Sequence, residues 1–216
     1  MARGQRTNEY ISYPKVRDLI ERAEPLESQA LLAIMYGTGC RVGELCRGYY
    51  HKYHIFKYKK TGKDSYTKKL LREEEDYTDG IKRENITHDD RAVYILLPNF
   101  KYKKMKEKRA YISKVAEPWI INIILEYLAN IPENTYLFNF SRTTALRRLA
   151  EVWPYTSHSL RVSRSMHLYY DMRISLMDIK DQLGHAGLTH LTSYLRSQPD
   201  RYLDQMEKAT LPEVIK

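Results

Sequence analysis

Five residues in three short stretches have the types and spacings to act on a phosphodiester. Arg41 stands in YGTGCRVGEL, His158 and Arg161 in HSLR, and His185 and Tyr194 in LGHAGLTHLTSY. Two guanidinium groups can grip the non-bridging oxygens of one phosphate through paired N–H donors. Two imidazoles can donate hydrogen bonds or move a proton near neutral pH. A phenol is a weak nucleophile until activated, and neighbouring guanidinium groups favour its phenolate. Charge that builds on a pentacoordinate phosphorus would be met by these fixed donors.

Helix punctuation decides which of these residues can converge. Ser175 and Asp178 form an S-x-x-D capping box, and Gly184 stands where a C-cap glycine belongs, so 176–183 reads as a short helix with His185 just past its end. Thr189 can cap one more helix, which Pro199 stops and which contains Tyr194. Thr156 or Ser157 can start a helix with His158 and Arg161 one turn apart on one face. Arg41 follows Gly37 and Gly39 and opens a helix whose N-terminus favours an anion. Glu44, three residues on, can pair with Arg41 and hold its fork.

The remaining pattern is mostly helical. Residues 12–23, with Pro14 near the start, and 26–36, apolar almost throughout, read as two helices. Residues 117–130 form another apolar helix, and Ser141 can cap one more that exposes Arg142, Arg147 and Arg148. Ile86, Ala92–Leu97 and Arg109–Ile112 read as strands of a small antiparallel sheet. Between the last two lies the basic turn PNFKYKKMKEK, where Lys101, Lys103, Lys104, Lys106 and Lys108 compete to reach a phosphate or a DNA groove. Residues 49–80, rich in Tyr and Lys with a turn-like TGKD at 61–64, look like an insertion on which no fold is imposed.

Composition narrows the classes. The 216 residues suffice for one substantial core. No apolar run approaches the ~20 residues of a bilayer span, and MARGQRTNEY has no apolar signal region. Cys40 and Cys46 are too few for a disulfide framework or a zinc site, which points to a reducing interior compartment. Residues 49–114 hold 18 Lys and Arg against 10 Asp and Glu, so nearly all of the net charge of +9 sits there. A concentrated basic segment is the footprint of a polyanion binder.

The three boxes, in this order and at these spacings, resemble the catalytic domain of the tyrosine recombinases, the phage-integrase family, over about residues 12–200. The resemblance implies an α+β, mainly α fold with a small three-stranded antiparallel sheet. It implies a catalytic set of Arg41, Lys104, His158, Arg161, His185 and Tyr194. The family draws the general acid for the leaving 5′ oxygen from the hairpin. Lys104, five residues before Arg109, fits best, with Lys101 and Lys103 as rivals. Glu44, Lys101, Lys103, Arg142, Arg147 and Arg148 would support the site or hold DNA. On residue type alone Tyr202 competes with Tyr194.

The implied activity is site-specific cleavage and rejoining of DNA through a 3′-phosphotyrosyl intermediate, for integration or excision of a mobile element. That intermediate conserves the bond energy, so the family needs neither metal nor nucleotide cofactor. The implied partners are double-stranded DNA and further copies of the chain, a tetramer on DNA, with no membrane; the implied location is the cytoplasm. Residues 1–216 are expected to form a single catalytic domain with an insertion at 49–80 and a C-terminal tail at 197–216. The family's N-terminal DNA-clamping domain is expected to be absent. The helix after HSLR reads VSRSMHLYY, unlike the family's usual run, which suggests a divergent lineage, viral or archaeal. Two other functions fit the same residues: a type IB topoisomerase-like nicking-closing enzyme and a catalytically idle DNA-binding module.

Overall fold

The computed structural model describes residues 9–46, 49–60, 66–78, 80–98, 107–185 and 187–195. Its centre is α2 (Leu26–Thr38), which buries every residue from Ala30 to Thr38. A helix apolar on all sides has to be surrounded, and α2 is. It packs against α1 (Tyr13–Glu21), α4 (Pro118–Ala129), α5 (Arg142–Val152), α6 (Ser157–Met166) and strand β5 (Glu107–Ser113). Gly39 ends it in the left-handed region at φ 62°. The proline-started α1 and α4 and the Ser141-capped α5 form where the sequence places them. The described structure is thus mostly helical with a three-stranded sheet, as expected.

That sheet orders β3 (Ile86–His88), β4 (Ala92–Pro98) and β5 as β3-β4-β5, antiparallel throughout. Strand β5 starts two residues earlier than expected, and its burial alternates strictly. Lys108, Ala110 and Ile112 point inward, while Glu107, Arg109 and Tyr111 point outward. An ammonium thus occupies an inward position of the strand. The hairpin residues Lys101, Lys103 and Lys104, and also Lys106, lie outside the described residues.

Residues 49–60 and 66–78, in the stretch on which the sequence imposed no fold, are strands. They form a long antiparallel ribbon of β1 (Tyr49–Lys60) and β2 (Tyr66–Thr78), with an irregularity at Ile55/Phe56. Each strand is ~40 Å long at the usual rise. Among the described residues the two strands pair only with each other. The ribbon's legs meet at its root, where the Ile81 N–H donates to the Leu45 carbonyl at 3.3 Å. The turn expected at 61–64 lies outside the described residues.

The C-terminal half builds a second, smaller core. α6 runs into a π-helical turn at His167–Asp171, then come α7 (Leu176–Leu183) and α8 (Leu188–Leu195). Leu168, Ile179, Leu183 and Leu191 pack together, with Tyr194 partly buried against them. α7 closes as foreseen: Gly184 is left-handed at φ 68°, and the N–H groups of Gly184 and His185 reach back to the Asp181 and Lys180 carbonyls. α8 begins at Leu188, so Thr189 is inside the helix and does not cap it. Pro199, Tyr202 and the tail at 197–216 lie outside the described residues. Among the described residues no helix is long and apolar enough to cross a membrane.

Candidate active site

Arg41 is the N-cap of α3, which is only four residues long (Val42–Leu45). This single turn is shorter than the helix read from RVGELCRG. Cys46 is extended and leads into the ribbon, and the Arg41 N–H is taken by Glu44 Oε2 at 3.0 Å. The same carboxylate accepts from Arg41 Nη1 at 3.0 Å, so Glu44 holds the fork as the sequence suggested. Glu44 is fully buried, whereas the Arg41 side chain stays 30% exposed.

Arg161 comes from the buried face of α6, started by Thr156, whose hydroxyl accepts from the Ser159 N–H. It is 1% exposed. Its Nη1 donates to the Gly39 carbonyl and its Nη2 to the Leu183 carbonyl at 2.8 Å. Nη2 also lies 3.0 Å from His185 Nε2. A guanidinium cannot accept, so Nε2 is the acceptor and this contact requires neutral His185 with its proton on Nδ1. Burial, and after it the positive charge of Arg41, lowers the Arg161 pKa from its ordinary value. The two guanidinium groups therefore feel one another across the site.

Tyr194 reaches the same place from α8. Its hydroxyl is 3.0 Å from His158 Nε2, and its ring lies 5.6 Å from the His158 ring and 5.9 Å from the His185 ring, between centroids. Elements far apart in the chain thus meet: α3 brings Arg41, α6 brings His158 and Arg161, the end of α7 brings His185, and α8 brings Tyr194.

Two side chains that the motifs did not single out hold this arrangement. Lys108 is only 4% exposed, which corrects its inclusion among lysines free to reach DNA. Its Nζ donates to Glu44 Oε2 at 2.7 Å and to the Leu183 carbonyl at 3.2 Å. Burial lowers the Lys108 pKa, more than the Glu44 carboxylate raises it. Burial opposes ionisation of Glu44 too, but Lys108 and Arg41 outweigh it and hold that carboxyl below its ordinary value. Gln182 donates from Nε2 to the Tyr111 carbonyl at 3.2 Å and to the Gly37 carbonyl at 3.4 Å, seating α7 on β5 and α2. Lys108 shares the alternating face of Ala110 and Ile112 once the strand is taken back to Glu107. Gln182 carried no local signal.

α5, which also packs on α3, carries three more arginines. Arg142 and Arg147 are exposed. Arg148 is engaged by Glu27 of α2 and lies over the Phe140 ring, 4.4 Å from its centroid.

The described fold is similar to that of solved site-specific recombinases. The chain is similar to the tyrosine recombinase XerA of Pyrococcus horikoshii, with 23% identity over 210 residues that cover 93% of this chain and 61% of that protein. Among solved structures it resembles XerA recombinase, with a TM-score of 0.60 at 18% identity over 94% of this chain and 66% of that one. It also resembles XerH site-specific recombinase bound to its difH substrate, with a TM-score of 0.56 at 15% identity over 92% of this chain and 52% of that one. The chain thus spans less than two thirds of the length of each. No protein-family model matches it.

Proposed function

We propose that this chain is a tyrosine-type site-specific DNA recombinase that cleaves and rejoins strands by transesterification. One observation carries the reading: the Tyr194 hydroxyl lies 3.0 Å from His158 Nε2, one helical turn from the buried Arg161. Tyr194 attacks the scissile phosphorus, and His158, 3.0 Å from its hydroxyl, accepts its proton. Arg41 and Arg161 grip the non-bridging oxygens and stabilise the charge that develops on them. His185, beside Arg161, adds a further hydrogen bond. The Tyr194 oxygen becomes bonded to phosphorus as the bond to the 5′ oxygen breaks, and a hairpin lysine, Lys104 in first place, protonates that leaving oxygen. Attack by a 5′ hydroxyl reverses the sequence and frees the tyrosine.

The substrate is double-stranded DNA, handled in the cytoplasm by several copies of the chain, for integration or excision of a mobile element. Residues 9–195 act as one catalytic domain into which the ribbon at 49–78 is inserted. Covalent capture tests the proposal. Nicked duplexes from a random-sequence library are incubated with the chain, and detergent-stable adducts are isolated and sequenced. The expected result is an adduct on a narrow set of sequences that Tyr194→Phe abolishes while DNA binding persists. An adduct that survives in Tyr194→Phe would exclude Tyr194 as nucleophile. Binding without any adduct would leave only a DNA-binding module.

A further inference from the structure

Lys108 occupies a position where the strand calls for an apolar residue, since Ala110 and Ile112 fill the next two inward places of β5. Removing an ammonium from water has a cost that an apolar residue would avoid. Its two acceptors show what it holds in return. Glu44, which takes Lys108 Nζ at 2.7 Å, also takes the backbone N–H and Nη1 of Arg41. The Leu183 carbonyl, which takes Lys108 Nζ at 3.2 Å, also takes Nη2 of Arg161. One buried ammonium therefore stands at the crossing of two grips, one from α3 and one from the end of α7.

From this geometry we infer that Lys108 is a positioning residue of the cleavage site. By fixing the Glu44 carboxylate and the Leu183 carbonyl against one another, it sets the spacing of the Arg41 and Arg161 guanidinium groups around one phosphate. The inference rests on the transesterification proposed above. Lys108 is too buried to touch DNA, which separates its role from that of the hairpin lysines. It also anchors the strand that follows the hairpin.

The test compares Lys108→Met with the parent chain on a nicked duplex recovered by covalent capture, reading single-turnover cleavage beside DNA affinity. Misplacing the arginines slows cleavage by ~100-fold while affinity hardly changes, because the defect lies in transition-state geometry. If the folded variant cleaves at the parent rate, Lys108 is only structural and the inference is overturned. Should Lys108→Met not fold, Lys108→Gln retains an N–H donor for the Leu183 carbonyl and is expected to fall between the two rates; parent-like cleavage by it overturns the inference equally. A parent chain that forms no adduct speaks against transesterification, and orthovanadate binding then decides about Lys108. The expected result is a rise in melting temperature with orthovanadate for the parent and none for Lys108→Met, and equal rises overturn the inference.

Discussion

Replacing Gly39 with alanine should damage stability and the site together. Gly39 closes α2 at φ 62°, a left-handed conformation that costs an L-residue about 1–2 kcal/mol. A methyl group there would overlap Leu183 Cδ2 and come within 3.7 Å of Arg164 Cγ. Leu183 is fully buried and cannot swing into solvent. Forcing a methyl group into such packing costs about 1–3 kcal/mol. Together the two terms give a loss of about 2–5 kcal/mol. The Gly39 and Leu183 carbonyls both hold Arg161, so the displacement also moves the guanidinium. Urea unfolding followed by far-UV circular dichroism measures the first effect, and covalent capture on DNA in the folded range measures the second. Gly187 provides the control: among the described residues a Cβ there would meet no atom within 4 Å. Gly187→Ala should stay within about 0.5 kcal/mol of the parent. If Gly39→Ala proves as stable as Gly187→Ala, the contact between the α2 terminus and Leu183 is not as described.

Other perturbations have equally definite outcomes. Arg164 and Glu117 form a buried pair, with Nη2 to Oε2 at 2.7 Å and a second bond between Nη1 and Oε1. Arg164→Met or Glu117→Gln alone should cost about 3–5 kcal/mol by urea unfolding, and the double variant less than the sum, because a lone buried charge is worse than none. The Glu44 pKa lies below its ordinary 4.5 in the folded chain. Its stabilisation is therefore present above pH 4.5 and is lost as pH falls through the folded value, so the stability gap between the parent and Glu44→Gln should narrow between pH 5 and pH 3. A constant gap across those titrations would contradict the ion pairing. Excising the ribbon by joining Tyr50 to Tyr77, which are cross-strand partners, through an Asn-Gly turn should leave a folded chain. The excised sequence includes Lys57, Lys59, Lys60, Lys68, Lys69 and Arg72. The salt dependence of DNA affinity should therefore flatten by about 0.9 in log–log slope for each phosphate that the ribbon neutralises, and an unchanged slope would exclude the ribbon from DNA.

The helices and their ends were legible because each carries local chemistry. Ser141, Thr156 and Ser175 cap the helices they precede, and Gly39 and Gly184 end theirs in left-handed turns. The ribbon was legible in part. YYHKYHIFKYKK is rich in aromatic residues that favour strands and has no helical period, but its charge reads equally well as a solvated loop. Register and depth were not legible. Whether the strand after the hairpin begins at Glu107 or Arg109 decides if Lys108 lies inside its sheet, and a shift of one residue reverses every side chain. Only packing against α7, through Gln182 and Leu183, settles it. Likewise Arg148 read as a contact for DNA or a surface charge, and its pairing with Glu27 across the fold carried no signal in the sequence.

Arg161 and Arg164, one turn apart on α6 and both buried, show how the fold gives two arginines of one helix different surroundings. HSLRVSR offers no means of telling them apart by type. Their partners do. Arg164 meets the carboxylate of Glu117 with two bonds, and its charge is neutralised inside the core. Arg161 meets two backbone carbonyls, Gly39 at the end of α2 and Leu183 at the end of α7. These are the negative ends of two helices, each of which stabilises a nearby cation by about 0.3–1 kcal/mol and up to about 2 where partly buried. The carbonyls take Nη1 and Nη2 but carry no full charge, so Arg161 keeps its positive field while it is held in place. Against burial and the repulsion of Arg41, such a site binds its cation less comfortably than a carboxylate would, as the lowered Arg161 pKa records. A phosphodiester oxygen arriving between the two guanidinium groups would supply the missing negative charge. If the two arginines hold one phosphate as proposed, repulsion between them would be relieved when anionic substrate binds, and more fully as its charge grows in the transition state.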